Sequence, residues 1–197
     1  MGHLGRLAPE KNLAFLTEAV CAFLQRSPTS HFLLAGYGPS EEFVKRTFER
    51  VGLANRLHIT GQVSGETVVN TYHAMDVFVF ASKSETQGMV LVEAMAAGVP
   101  VIALDAPGVR EVVDHHNGRL LAAEDQTAFA AALSWFISLS NAQRNALQQG
   151  TRATAERFST STCTDSTLTL YRDVMARKRA AVDIEDSTWM RCIRVIE

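Results

Sequence analysis

Apolar residues along this chain follow two alternating patterns: short continuous runs, and longer stretches in which they recur every three or four positions. The first pattern suits buried strands and the second suits amphipathic helices. A truncated strand is expected near "GHLGRL" (2–7). "KNLAFLTEAVCAFLQR" (11–26) then sets Leu13, Leu16, Val20, Phe23 and Leu24 at helical spacing. "HFLLAG" (31–36) predicts a compact buried strand, and "SEEFVKRTFERVGL" (40–53) a helix with Ser40 as its cap. "RLHITG" (56–61) predicts a strand and "GETVVNTYHAM" (65–75) a short helix. "DVFVFAS" (76–82), rich in valine and phenylalanine, is the clearest strand of all. The helix "GMVLVEAMAAG" (88–98), stopped by Gly98 and Pro100, precedes the strand "VPVIAL" (99–104). A loop and short helix through "PGVREVVD" (107–114) lead to "NGRLLA" (117–122).

From Asp125 onward the reading is helical, through "TAFAAALSWFISL", "NAQRNALQQGTRATAERF" and "TLTLYRDVMARKRAA". Strands alternating with helices predict a parallel sheet covered on both faces. The expected architecture is a single doubly wound, Rossmann-like α/β domain over residues 1–180. A helical tail over 181–197 carries Trp189, Met190, Ile193 and Ile196 on a partly apolar face. Right-handed crossovers then place every strand's C-terminal end on one edge, where such folds bind ligands.

Composition narrows the function classes. With 197 residues and 47% hydrophobic content the chain can bury a sizeable core. A formal charge of −2 with scattered basic residues argues against a nucleic-acid partner or a polybasic membrane contact. Cys21, Cys163 and Cys192 lie far apart without metal-ligand spacing, as in a reduced, cytoplasmic chain. The N-terminus lacks the apolar segment of a signal peptide, and strand-like material begins almost at once, so a piece of a longer protein is expected.

The densest chemistry lies in "SETQGMVLVEAMAAG" (84–98), where Glu85 and Glu93 stand eight residues apart. The preceding strand ends near Ser82, so Glu85 sits in a loop at a strand's C-terminal end. Unpaired backbone N–H groups from Gly88 to Leu91, with the helix dipole behind them, predict an anion site suited to a pyrophosphate. Glycine at position 88 admits a ligand close to the backbone. Glu93, about a turn and a half inside the helix, can lean back and accept two hydrogen bonds from a vicinal diol such as a ribose. Glu85 is placed for hydroxyls beyond the phosphates. Arg6 and Lys11, in "GRLAPEKN", occupy the first strand–helix loop on the same edge. They are expected either to neutralise a diphosphate leaving group or to be solvated surface cations, Lys11 then pairing with Glu10 or Glu18.

Taken in order, "GRLAPEKN", "LLAGYGP", "ITGQVS" and "SETQGMVLVEAMAAGVPVIALDAPGVREVV" closely resemble the group-1 (family 4) retaining glycosyltransferases. The resemblance is to their C-terminal, nucleotide-sugar-binding domain, one of two in the GT-B fold, and runs from about Gly5 to Leu121. It implies that Arg6 and Lys11 bind the donor diphosphate, that Glu93 binds ribose, and that Glu85 faces the donor sugar. Arg6, Lys11 and Glu85 are thereby the implied catalytic set. Thr86, Gln87, Gly88, Met89 and Val90 match the loop whose amides hold sugar and phosphate. Gln62 and Val63 match the base contact, and Gly36 and Gly38 a tight turn beside the nucleotide. Where many members have Gly-Phe-Gly, this chain has Gln87-Gly88-Met89, so the donor sugar is not specified. The implied reaction is hexose transfer from a nucleotide diphosphate sugar, UDP-linked by expectation, with no metal and no separate cofactor. The implied partner is a preceding acceptor domain, on which the C-terminal tail packs unless it docks on its own sheet. The acceptor, lipid or saccharide, is not specified, and peripheral membrane attachment through that other domain stays open beside a cytoplasmic location.

Other readings are weaker. His115 and His116 beside Asp114 suggest a metal, but adjacent residues in an Asn-Gly turn rarely converge on one ion. "AGYGPSEE" lacks the third glycine of a dinucleotide fingerprint, and neither Ser82 nor Ser84 has a nucleophile-elbow setting. A nucleotide-binding domain without turnover, or a sugar-nucleotide epimerase of the same architecture, remains as an alternative function.

Overall fold

The computed structural model describes the backbone of residues 1–193 and the side chains of residues 1–177. Six strands form one parallel sheet: β1 (Gly2–Leu4), β2 (Phe32–Ala35), β3 (Leu57–Gly61), β4 (Phe78–Phe80), β5 (Val101–Leu104) and β6 (Gly118–Leu121). Their spatial order is β3-β2-β1-β4-β5-β6, so the chain starts at the centre, builds one half outward, then returns to build the other. That order is the doubly wound one, and its direction reverses between β1 and β4.

The helices between strands are α1 (Leu13–Leu24), α2 (Glu41–Arg50), α3 (Glu66–His73) and α4 (Met89–Ala96), followed by α5 (Gln126–Ser138) and α6 (Asn141–Arg157). Strand alternation divides the apolar residues between two layers. Val77, Val79 and Ala81 of the β4 region join Leu34, Ile102 and Leu104 in a core closed by α1, α2 and α5. Phe15 of α1 meets Phe129 of α5 edge-on at 5.8 Å, and Phe32 stacks on Phe48 of α2 at 6.0 Å. Phe78 and Phe80 lie outside that core: Tyr72 of α3 sits 5.8 Å from Phe78, and Phe78 stacks on Phe80 at 6.2 Å. Asp125 caps α5 through the amides of Thr127 and Ala128.

Every predicted strand and long helix is present, within a few residues of its expected limits. Some local expectations need correction. Ser40 precedes α2 in a helical conformation and its side chain makes no capping bond. Instead its backbone N–H donates to the Leu7 carbonyl at 2.8 Å, which holds α2's start against the first loop. The segment "PGVREVVD" forms hydrogen-bonded turns rather than a helix. "DHHNG" folds as the expected turn around buried Asn117, which donates to the Val112 carbonyl at 2.8 Å and to Thr154 at 3.0 Å.

The chain divides into a compact unit, Met1–Glu156, and a second unit from Arg157 onward. The second unit contains α7, an unbroken helix over Thr160–Ile193, where two separate helical segments were expected. Within the described part of α7, Leu168, Leu170, Tyr171, Val174 and Met175 are exposed. The side chains of Trp189, Met190, Ile193 and Ile196 lie outside the described residues. Cys21 is buried and its thiol is pushed up to about 11 by that burial, while Cys163 is exposed and also unpaired. Among the described residues no helix is long and apolar enough to cross a membrane, and no group of three or more His, Cys, Asp or Glu is placed to hold a metal ion.

Candidate functional site

Because all six strands run parallel, the loops after β1 to β5 gather on one edge, and the β1–β4 junction lies at its middle. The loops of the first half are tied by backbone bonds. Gly5 N–H donates to Ala35 O at 3.0 Å, Leu7 N–H to Tyr37 O at 2.9 Å, and Gly36 N–H to Gly61 O at 2.8 Å. The glycines of "AGYGP" permit this closeness. A Cβ on Gly36 would fall 1.9 Å from the Gly5 carbonyl oxygen, and one on Gly38 2.4 Å from that of Leu7. Both glycines therefore act on the loop that carries Arg6 and Lys11.

That loop is fastened to the end of β4 as well. A short 3-10 turn, Pro9–Lys11, leads to Asn12, the one described non-glycine residue with a left-handed backbone (φ 52°). Asn12 donates to the Ala81 carbonyl at 3.3 Å and to Glu124 at 3.0 Å, and Ser82 donates to the Glu10 carbonyl at 3.2 Å. Lys11 is thereby held beside the loop that follows β4, and its Nζ meets Glu85 Oε1 at 2.5 Å. Both side chains are largely shielded, 21% and 14% exposed. The near neighbours Glu10 and Glu18 are engaged elsewhere: Glu10 pairs with Arg6, and Glu18 accepts from Gln126. The Arg6 guanidinium is on the surface, 69% exposed, so an incoming anion can draw it from Glu10 at little cost.

The loop after β4 turns into α4 at Gly88, whose φ of 58° disfavours other residues. The space is tight too, since a Cβ there would lie 3.0 Å from both the Gly108 carbonyl oxygen and a Leu91 methyl carbon. Gly108, in the turn after β5, presses in return on the Glu85 carbonyl, 2.6 Å from where its own Cβ would stand. The approach to α4 is thus gripped from both sides. Thr86, Gln87 and Met89 are exposed on it, and Val90 is half-buried. Helix geometry leaves the amides of Met89 and Val90 without intrahelical acceptors. Leu91 does not fit the expected role: its N–H donates to the Gly88 carbonyl at 2.8 Å and its side chain is fully buried. The free amides of the helix start accordingly end one residue earlier than the spacing suggests.

Glu93 is exposed on α4, and the buried Tyr72 donates its phenolic proton to Glu93 Oε2 at 2.8 Å. Gln62, exposed, and Val63, half-buried, follow β3, the outermost strand of the first half. Three strand spacings, about 14 Å, separate β3 from β4. The predicted set therefore forms a band along the strand ends: Gln62 and Val63 at one side, Arg6 and Lys11 at the middle, Glu85, the α4 start and Glu93 beyond.

Two residues here escaped the sequence reading. His3, on β1, is fully buried; its Nδ1 donates to the Val79 carbonyl at 3.0 Å, and its ring stacks on Phe78 and Phe80 at 5.8 and 5.9 Å. With the proton on Nδ1, Nε2 is a bare acceptor, and it has no partner. Burial brings the imidazole down to about 4; the Val79 bond opposes that shift, and nearby Lys11 adds to it. The second is Tyr72, whose helical spacing marks a core position and hides its hydroxyl. A lone histidine in an apolar strand carries no comparable signal.

The family relationship is direct. The sequence matches the family described as glycosyl transferases group 1 over residues 1–153, and the chain belongs to it. It is 34% identical over 186 residues to a D-inositol 3-phosphate glycosyltransferase from Saccharomonospora viridis, an alignment covering 89% of this chain and 43% of that protein. The chain thus spans less than half the length of that relative. Among solved structures it resembles Anabaena Alr3699/HepE in complex with UDP, at TM-score 0.75 and 28% identity, covering 87% of this chain and 48% of that one. The same protein is also solved with UDP and glucose. The C-terminal domain of the group-1 family protein LpcC from Francisella tularensis matches at TM-score 0.69 and 25% identity, covering 79% of this chain and 83% of that domain.

Proposed function

We propose that this chain is the donor-binding half of a retaining glycosyltransferase and that its donor is a UDP-linked hexose. The observation that carries the reading is the meeting of Lys11 and Glu85 at the sheet's reversal point, beside a glycine-gated helix start with Glu93 on its exposed face. The Anabaena neighbour that binds UDP and glucose supports the choice of nucleotide and sugar.

In this reading the diphosphate lies over the amides of Met89 and Val90, with Thr86, Gln87 and Gly88 lining its approach. Glu93 takes the ribose hydroxyls, and Gln62 and Val63 meet the base. Glu85 turns its free oxygen to hydroxyls of the hexose, while Lys11, aligned by Glu85, faces the phosphate that departs. During transfer the bond from the anomeric carbon to the phosphate oxygen breaks as the acceptor oxygen attacks from the same face. The acceptor proton passes to that phosphate oxygen. Charge growing on the diphosphate is met by Lys11, Arg6 and the helix dipole, so neither glutamate serves as nucleophile. No metal enters this scheme, and the acceptor site is contributed by a separate domain.

The test is calorimetric binding of UDP, GDP and ADP, each alone and as its glucose conjugate, to the 197-residue chain. UDP binding that Glu93→Gln weakens severalfold supports the reading. A preference for another nucleotide would correct the base, and no binding of any of the six would overturn the donor-site assignment.

A further inference from the structure

Tyr72 occupies the end of α3 with its ring 2% exposed and braced against Phe78. Its hydroxyl crosses to α4, where it has two acceptors within reach: Glu93 Oε2 at 2.8 Å and the Val90 carbonyl at 3.4 Å. A phenol has one proton to give, and the shorter, charge-assisted bond takes it. We infer that Tyr72 is a positioning residue for Glu93, locking the carboxylate in the orientation that receives a sugar diol. The inference rests on the assignment of Glu93 to the ribose.

An exposed glutamate on a helix samples many rotamers, and ordering it on binding is unfavourable. A rigid, buried donor makes that selection beforehand, so binding keeps more of its free energy. Each carboxylate oxygen has two acceptor sites, so the bond from Tyr72 leaves both oxygens able to accept from vicinal hydroxyls. Burial first, and then the bond to Glu93 and its charge, hold the phenol well above the ordinary tyrosine range. Tyr72 accordingly stays a donor at any pH the protein meets. The bond spans two helices whose link is β4, so the position of Glu93 is tied to the sheet as well as to α4.

The test compares UDP with 2′,3′-dideoxy-UDP, which lacks the diol, for the wild-type chain, Tyr72→Phe, Glu93→Ala and the double variant. Tyr72→Phe removes only the hydroxyl and retains the ring against Phe78. The expected result is UDP affinity down roughly three- to tenfold in Tyr72→Phe with dideoxy-UDP affinity unchanged. The double variant should bind like Glu93→Ala alone, since the hydroxyl acts only through that carboxylate. Equal loss for both nucleotides, or no loss at all, would overturn the role of Tyr72 while the ribose assignment stands. If Glu93→Ala keeps the wild-type preference for UDP over dideoxy-UDP, the ribose assignment itself fails.

Discussion

Glu85 and Glu93 bracket one helix start, and the two ends of that stretch are anchored by opposite physics. At the loop end, Glu85 is shielded and held by a charge, the Lys11 ammonium 2.5 Å away. On the helix face, Glu93 is exposed and held by a neutral phenol. Removing a carboxylate therefore has different consequences at the two ends. Without Glu85 a cation is stranded in a partly desolvated place; without Glu93 a tyrosine hydroxyl loses one acceptor but keeps the Val90 carbonyl within 3.4 Å. The loop end should be linked to stability, and the helix end to binding alone.

The largest effect that probes this contrast comes from His3, which lies on the loop side, near Lys11 and Glu85. Its folded-state value, about 4, lies below its ordinary 6.5. Between those values the unfolded chain binds the proton that the folded chain refuses. The stabilising contribution is therefore whole above pH 6.5 and is lost as pH falls toward 4. The loss is on the order of 3 kcal/mol across that window. Denaturant melts at a series of pH values should show the slope in wild type and a much flatter one in His3→Phe; equal slopes would remove His3 as its source.

Next in size is Glu85→Ala, expected to destabilise the fold by about 2 kcal/mol by leaving Lys11 unpaired. Pairing it with Lys11→Met should recover much of that loss in thermal melts, since no stranded charge remains. If the double variant is no better than the single one, the cost comes from packing instead. Glu93→Gln should change stability by less than about 0.5 kcal/mol. Its effect belongs in titration calorimetry, as a severalfold rise in the UDP dissociation constant. A large drop in melting temperature in this variant would erase the distinction between the two ends.

Smallest is Arg6→Ala, worth less than about 0.5 kcal/mol of stability because its pair with Glu10 is solvent-exposed. It should still weaken UDP binding, most visibly at low ionic strength, where an exposed cation is least screened. Binding that keeps the same salt dependence with and without Arg6 would place that residue outside the site.

Much of the architecture is readable from local pattern. "DVFVFAS" and "HFLLAG" contain β4 and β2, and the run from Leu13 to Leu24 is α1, because apolar period reflects neighbours within a turn or a pleat. The same reasoning misjudged Ser40, where a tertiary partner, the Leu7 carbonyl, took the backbone amide and the side chain was left without a capping role. It also extended the free amides to Leu91, which a tight first turn of the helix consumes. The candidate site divides similarly. Glycine at 88 and acidic residues at 85 and 93 announce an anion site with polar company. Nothing nearby in the chain says that Lys11, rather than Arg6, is the cation that Glu85 holds.

Chain order alone was enough to specify alternating strands and helices, a glycine-gated helix start and the two acids around it, since each depends on residues within a few positions. Which groups touch was settled only when the sheet reversed direction between β1 and β4. That reversal brings Lys11 to Glu85 across 74 positions and His3 to Val79 across 76, while the packing of α3 and α4, on either side of β4 in the chain, brings Tyr72 to Glu93 across 21. Such pairings are set by strand order and loop closure, which no local period encodes.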